Sequence, residues 1–212
     1  VEILDGDEVI AANVGASVEF IIDEAKLWSE ENPNLYLCHV TLKEDGSVVD
    51  EETVNFGVRK VEWSSRGLFI NGQETLLRGA CIHHDNGILG ACAYDEAEDR
   101  RVRILKEAGF NAIRSAHNPA STALLEACDH YGMYVMDETF DMWYKRKTKY
   151  DYASDFDNWY LEDIKAMVMR DYNHPSVIMY SIGNEVGEPA TEHGIELTQE
   201  MVEFIHQLDS SR

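Results

Sequence analysis

RDYNHPSVIMYSIGNEVG, Arg170 to Gly187, carries an apolar run that stops abruptly at Gly-Asn-Glu. Val177 to Ile182 lie between Pro175 and Gly183, the length and punctuation of a strand buried on both faces in a parallel sheet. Glu185 then stands just past the strand's C-terminal end. The run leading to it is too apolar for a surface turn, so a solvated surface carboxylate is the weaker reading.

Working upstream, three further strands of the same kind precede it: Leu76 to Cys81, Ala112 to Ser115 and Tyr134 to Asp137. Helical spacing appears in about Asp95 to Ala108, Ser121 to Tyr131, Phe156 to Arg170 and Glu192 to Leu208. Strands alternating with helices predict right-handed crossovers and a parallel sheet, either doubly wound or closed as a barrel. Polar residues favour the barrel, because each strand ends in functional chemistry at its C-terminal tip. His83, His84 and Asp85 follow the first strand, His117 and Asn118 the second, Asp137 and Glu138 the third, and Asn184 and Glu185 the fourth. A doubly wound sheet concentrates its site at one switch point instead. There is no Gly-rich phosphate loop. The expected fold is therefore α/β, the first half of a (β/α)8 TIM barrel over residues 63–212. Four units make half a barrel, so further units are expected beyond Arg212.

Residues 1–62 read differently. SVEFIID (Ser17 to Asp23), LYLCHVTLK (Leu35 to Lys43) and VVDEETVNFGV (Val48 to Val58) have strand composition, with turns at Asn32-Pro33 and Asp45-Gly46. They predict the C-terminal part of an immunoglobulin-like β-sandwich. Two facing sheets are needed to bury both inner faces, so residues before Val1 are expected as well. Asn71-Gly72 marks a hairpin turn at the start of the second region.

Forty acidic and eighteen basic residues give a formal charge of −22, which argues strongly against a phosphate-binding surface, and so against nucleic acid and anionic membranes. There is no apolar window of membrane-spanning length, and VEILDGDEVI is no leader. Cys38, Cys81, Cys92 and Cys128 are widely spaced, the pattern of reduced thiols in a cytoplasmic protein. A zinc site from Cys81, Cys92, His83 and His84 lacks ligand spacing.

A carboxylic acid that protonates a glycosidic oxygen must sit in a partly desolvated pocket, and Glu185 is the candidate. Asn184 can hold a sugar hydroxyl through an oxocarbenium-like transition state, or simply cap a turn. The His and Asp residues at the tips could alternatively hold a metal. Yet neighbouring His83 and His84 cannot both point inward from a regular strand, and no metal is expected. Arg114 on a strand must pair with a carboxylate such as Asp137 or Glu138. Trp143, in FDMWYKRKTKYDY (Phe140 to Tyr152), is a candidate sugar platform, with cover of the barrel rim the plainer reading. Trp28, Trp63 and Trp159 read as packing residues.

LWSEENPNLY, FGVRKVE, LRGACIHHD, GFNAIRSAHNP, CDHYGMYVMDE and RDYNHPSVIMYSIGNE, in this order, resemble glycoside hydrolase family 2, the β-galactosidase and β-glucuronidase family. The resemblance covers nearly the whole chain and implies a retaining exo-β-glycosidase without a cofactor. By position, Glu185 resembles the general acid/base, Asn184 the residue holding the 2-hydroxyl, and His83 and His117 substrate-binding histidines. Asp137 and Glu138 resemble residues that line the pocket, and Arg114 and His84 ones that support it. Tyr180 replaces the family's usual tryptophan, and the Glu-x-His of its magnesium-dependent members is missing after the third strand. The nucleophile belongs to a later strand, so the isolated chain is expected to be inactive and prone to aggregate through its unpaired edges. A terminal β-D-galactoside is the expected substrate of the parent protein, whose homo-oligomerisation stays open. β-Glucuronidase is the alternative, since no cation other than those of Lys145 to Lys149 is offered for a carboxylate. A non-catalytic carbohydrate-binding or assembly module is the alternative of another class.

Overall fold

The computed structural model describes residues 1–212. β1 (Glu2–Asp5), β2 (Glu8–Ala12), β3 (Tyr36–Glu44) and β4 (Ser47–Phe56) form one antiparallel sheet in the order β2-β1-β3-β4. The β3–β4 hairpin closes on Asp45 and Gly46 with φ of 49° and 81°, the left-handed pair that matches strand twist in a two-residue turn. Tyr36 stacks on Phe56 at the other end of the hairpin, ring centroids 5.7 Å apart. The expected strand Ser17–Asp23 is not formed. Its alternation has no neighbouring strand to pair with, and Ile21 lies exposed.

A small antiparallel sheet follows, built from β5 (Val61–Ser64), β6 (Gly67–Ile70) and β7 (Gln73–Glu74) and turning at Asn71-Gly72 as read from the sequence. Leu68 and Ile70 point down into a core, while Trp63, expected to pack, is exposed.

Four strand-helix units complete the chain: β8 (Gly79–His83) and α1 (Asp95–Glu107), β9 (Ala112–Ala116) and α2 (Thr122–Tyr131), β10 (Tyr134–Glu138) and α3 (Phe156–Asp171), β11 (Val177–Ser181) and α4 (Glu192–Leu208). The strands are parallel and run in sheet order β8-β9-β10-β11, without a reversal. A doubly wound sheet would reverse its order at a switch point; an unbroken sequence is the winding of a barrel wall. α2 starts where Ser121 Oγ accepts from Leu124 N at 3.2 Å and stops at Gly132, whose φ of 69° ends the helix.

On the outer face of the sheet, Ile113, Val135 and Val177 pack against Val102, Leu124, Leu125 and Cys128 of α1 and α2. A second cluster unites α3 and α4 through Phe156, Ile164, Met201 and Ile205, and takes in Phe140 and Trp143 from the loop after β10. Trp159, expected to pack, is exposed. The third cluster sits at the N-terminal end of the parallel strands, where Trp28, Leu68 and Ile70 meet Ala112, Tyr134 and Ile178.

Trp28 is fully buried, its Nε1 donates to the Asp129 carbonyl at 2.9 Å, and Tyr134 meets its ring edge-on. Arg59 adds a second tie, donating from Nε to the Pro175 carbonyl and from Nη2 to that of Val177, each at 2.7 Å. Burial lowers this guanidinium to about 10. Lys106 Nζ makes a third, to the carbonyls of Glu30 (2.6 Å) and Gly132 (2.8 Å). These ties lie at the base of the parallel strands and leave the opposite end open.

Candidate active site

Side chains alternate across a strand, so only every second residue of β9, β10 and β11 reaches the inner face. On β9 that residue is Arg114, on β10 Glu138, and on β11 Ser181, which the register pairs with Glu138. Glu138 is 0% exposed and fully engaged. Its Oε2 accepts from Arg114 Nε at 2.8 Å, Arg114 Nη2 at 2.5 Å and Ser181 Oγ at 2.5 Å. Its Oε1 lies 2.6 Å from His117 Nδ1. Arg114 therefore finds its carboxylate in Glu138, not in Asp137. Glu138 holds the guanidinium in its charged form against the pull of desolvation.

The expectation that Asp137 lines the pocket is corrected by the same alternation. Asp137 points to the outer face, is fully buried, and its Oδ1 accepts from Ala120 N at 2.8 Å. Burial, and then the neighbouring carboxyl of Asp171, push the Asp137 carboxyl well above the usual carboxylate range. Arg170 grips both oxygens of Asp171, at 2.5 and 2.7 Å, and donates to the Ala120 carbonyl at 2.6 Å. Both backbone groups of Ala120 are thus tied, which steadies the turn that begins at His117.

Trp143 is likewise not available as a platform. It is 1% exposed, its ring stacks on Phe156 with centroids 6.2 Å apart, and its Nε1 donates to the Ile182 carbonyl at 2.7 Å. The plainer reading, cover of the rim, describes its position. His83 meets the ring of His117 edge-on at 5.1 Å. His84 turns elsewhere, with Nε2 buried and without a hydrogen-bond partner.

At the tip of β11, Asn184 is buried, and each end of its side-chain amide has one hydrogen-bond partner. Its Oδ1 accepts from Arg114 Nη2 at 3.1 Å, and its Nδ2 donates to Asp141 Oδ1 at 2.9 Å. Its backbone carbonyl accepts from Lys147 Nζ at 2.6 Å. Lys147 also pairs with Asp141 Oδ1 at 2.9 Å. Burial alone would raise the Asp141 carboxyl, but hydrogen bonds from Asn184 and Lys147 hold it below the usual range.

Glu185 follows in the left-handed region, φ 48°, and is exposed, so its carboxylate stands free at the mouth of this cluster. The desolvating pocket expected around it is not formed within these residues. Asp141 and Ser181 were not singled out by sequence reasoning. Ser181 had a signal, as the last inward position before Gly-Asn-Glu. Asp141 had none, because its contact depends on the path of a loop.

Residues 61–212 match the family model described as the TIM barrel domain of glycosyl hydrolases family 2, and residues 2–59 match a second model described as glycosyl hydrolases family 2. The β-galactosidase BoGH2A of Bacteroides ovatus is 41% identical over 184 residues, 86% of this chain and 22% of that protein. A crystal structure of a family 2 member from Bacteroides cellulosilyticus superposes with a TM-score of 0.85 at 49% identity, over 88% of this chain and 24% of that one. A β-D-glucuronidase of Dictyoglomus thermophilum gives a TM-score of 0.87 at 26% identity, over 100% of this chain and 38% of its own. The chain spans about a fifth of the length of the curated relatives it matches.

Proposed function

The chain belongs to glycosyl hydrolase family 2, and from that premise we propose that it supplies the acid/base side of a retaining exo-β-glycosidase acting on terminal β-D-galactosides. One observation carries the reading: four adjacent parallel strands bring His83, Arg114, His117, Glu138 and Asn184 to one end, beside the free carboxylate of Glu185. Glu185 protonates the glycosidic oxygen as the bond breaks, then takes a proton from the water that releases the sugar. Asn184 holds the 2-hydroxyl, and the two histidines line the sugar's path. Glu138 is spent on Arg114, His117 and Ser181, which suits a supporting carboxylate and not the attacking one. The nucleophile, about 5–5.5 Å from the acid in retaining enzymes, is proposed to come from outside these residues.

The galactoside is favoured over a glucuronide because recognition of a carboxylate needs an available cation. Arg114 is engaged by Glu138 and Asn184, and Lys147 by Asp141 and the Asn184 carbonyl. Lys145 and Lys149 lie over the rings of Tyr144 and Tyr150, and Arg146 donates to the Lys149 carbonyl.

The product of the complete open reading frame is to be assayed on aryl β-D-galactoside and aryl β-D-glucuronide. The galactoside is expected to be the better substrate. Glu185→Ala should slow a phenyl galactoside far more than a dinitrophenyl one, whose leaving group needs no protonation. Preference for the glucuronide, or equal losses on both leaving groups, would contradict the assignment.

A further inference from the structure

We infer that Asp141 and Lys147 are positioning residues that set the Asn184 amide for the sugar's 2-hydroxyl, an inference that rests on the reading of Asn184 given above. An isolated ion pair at a rim contributes little, because solvent screens it. Here both partners have a second hydrogen bond, and both second bonds go to the same residue. Asp141 Oδ1 receives Asn184 Nδ2 at 2.9 Å, and Lys147 Nζ donates to the Asn184 carbonyl at 2.6 Å. Phe140, next to Asp141, adds its carbonyl to Asn184 N at 3.0 Å. The loop after β10 thus holds the tip of β11 at three points.

These contacts decide which way the amide faces. A guanidinium can only donate and a carboxylate can only accept. With Arg114 on one side and Asp141 on the other, Asn184 has one arrangement that satisfies both. One Nδ2 hydrogen and one Oδ1 lone pair are then left over, pointing in fixed directions, for a hydroxyl that donates and accepts. Without Asp141 the amide keeps only its Arg114 contact and loses the partner on its donor side. The lowered proton affinity of Asp141 agrees with a carboxylate held permanently charged for this purpose.

The test compares an aryl β-D-galactoside with its 2-deoxy analogue in the product of the complete open reading frame, corrected for spontaneous hydrolysis. Asp141→Ala should cut the preference in kcat/KM for the 2-hydroxy substrate by about ten- to hundredfold, the worth of a hydrogen bond to a charged group. Turnover of the 2-deoxy analogue should hardly change. Lys147→Met should act in the same direction with smaller amplitude, and Lys147→Arg should restore the preference. Lys147 is 28% exposed, so these two variants report even if Asp141→Ala does not fold. Adding Asp141→Ala to Asn184→Ala should cost nothing more. Equal losses on both substrates would show a merely structural role and overturn the inference, as would additive effects in the double variant. If Asn184→Ala leaves the preference intact, the reading of Asn184 fails and the inference falls with it. If neither substrate is hydrolysed, the proposed function itself fails.

Discussion

Arg114→Met removes two of the four hydrogen bonds that hold Glu138 and its one permanently charged partner. Removing one member of a buried ion pair costs about 3–5 kcal/mol, because the other charge stays buried. Arg114 is 30% exposed, so solvent screens part of the interaction, and about 2–3 kcal/mol is the expected loss. For a urea slope of about 2–3 kcal/mol/M, the unfolding midpoint should fall by about 1 M with the slope unchanged. Glu138→Met alone should cost less, because Arg114 can turn toward water. The double variant Arg114→Met/Glu138→Met should be more stable than Arg114→Met, since an apolar pair leaves no charge stranded. Urea unfolding followed by fluorescence, with all three variants in one buffer, measures each step. A midpoint shift in Arg114→Met too small to resolve, or additive losses in the double variant, would refute the view that this pair organises the strand tips.

Three further outcomes follow from the geometry. Asp137 binds its proton more tightly folded than unfolded, so its contribution is fully present below the ordinary carboxylate range near pH 3.8 and is lost as pH rises through the folded value. Asp137→Asn, which keeps an acceptor for Ala120 N, should therefore raise the melting temperature by an amount that grows from pH 4 to pH 7; a constant difference would count against a raised proton affinity of the folded Asp137. Trp28→Ala should destabilise by about 3–5 kcal/mol by opening a cavity under the parallel strands, and calorimetry should see the N-terminal sheet come loose. Gly183→Ala would put a Cβ 2.9 Å from Trp143 Nε1, displacing its bond to Ile182, at a cost of about 1–3 kcal/mol and with a changed tryptophan emission; an unaltered spectrum would mean that the loop yields freely.

The strand-helix units were legible because each strand is a short apolar run set between Gly, Pro or a helix cap, a local signal. The barrel could be told from a doubly wound sheet by polar residues recurring at every tip. Ser17–Asp23 was misread because alternation describes a strand's faces and says nothing of whether a neighbour is there to pair with. β1 and β2 were missed because they are short, and β2 is largely exposed without a clear apolar face. Asp137 and Glu138 show the limit most plainly. A period of two says that one faces inward and the other outward, but which is which depends on a phase fixed by packing of Val135 and Tyr134 on opposite sides. Trp143 looked like a platform because its loop emerges at the open end, and only the stacking on Phe156 reveals that the loop folds back. Asp141 and Lys147 meet Asn184 across 43 and 37 residues, a distance that no local pattern spans.

The ties at the base also set a timetable for synthesis. The indole of Trp28 bonds to a carbonyl 101 residues later, and Arg59 to carbonyls 116 and 118 residues later. At a ribosomal rate of about 5–20 residues per second, Trp28 waits roughly 5–20 seconds for its partner to be made. The β3–β4 hairpin can zip by itself meanwhile, but its attachment surface stays wet and sticky until β10 and β11 emerge. A chaperone that occupies the LWSEENPNLY segment during that interval would shield this surface until its partners are made.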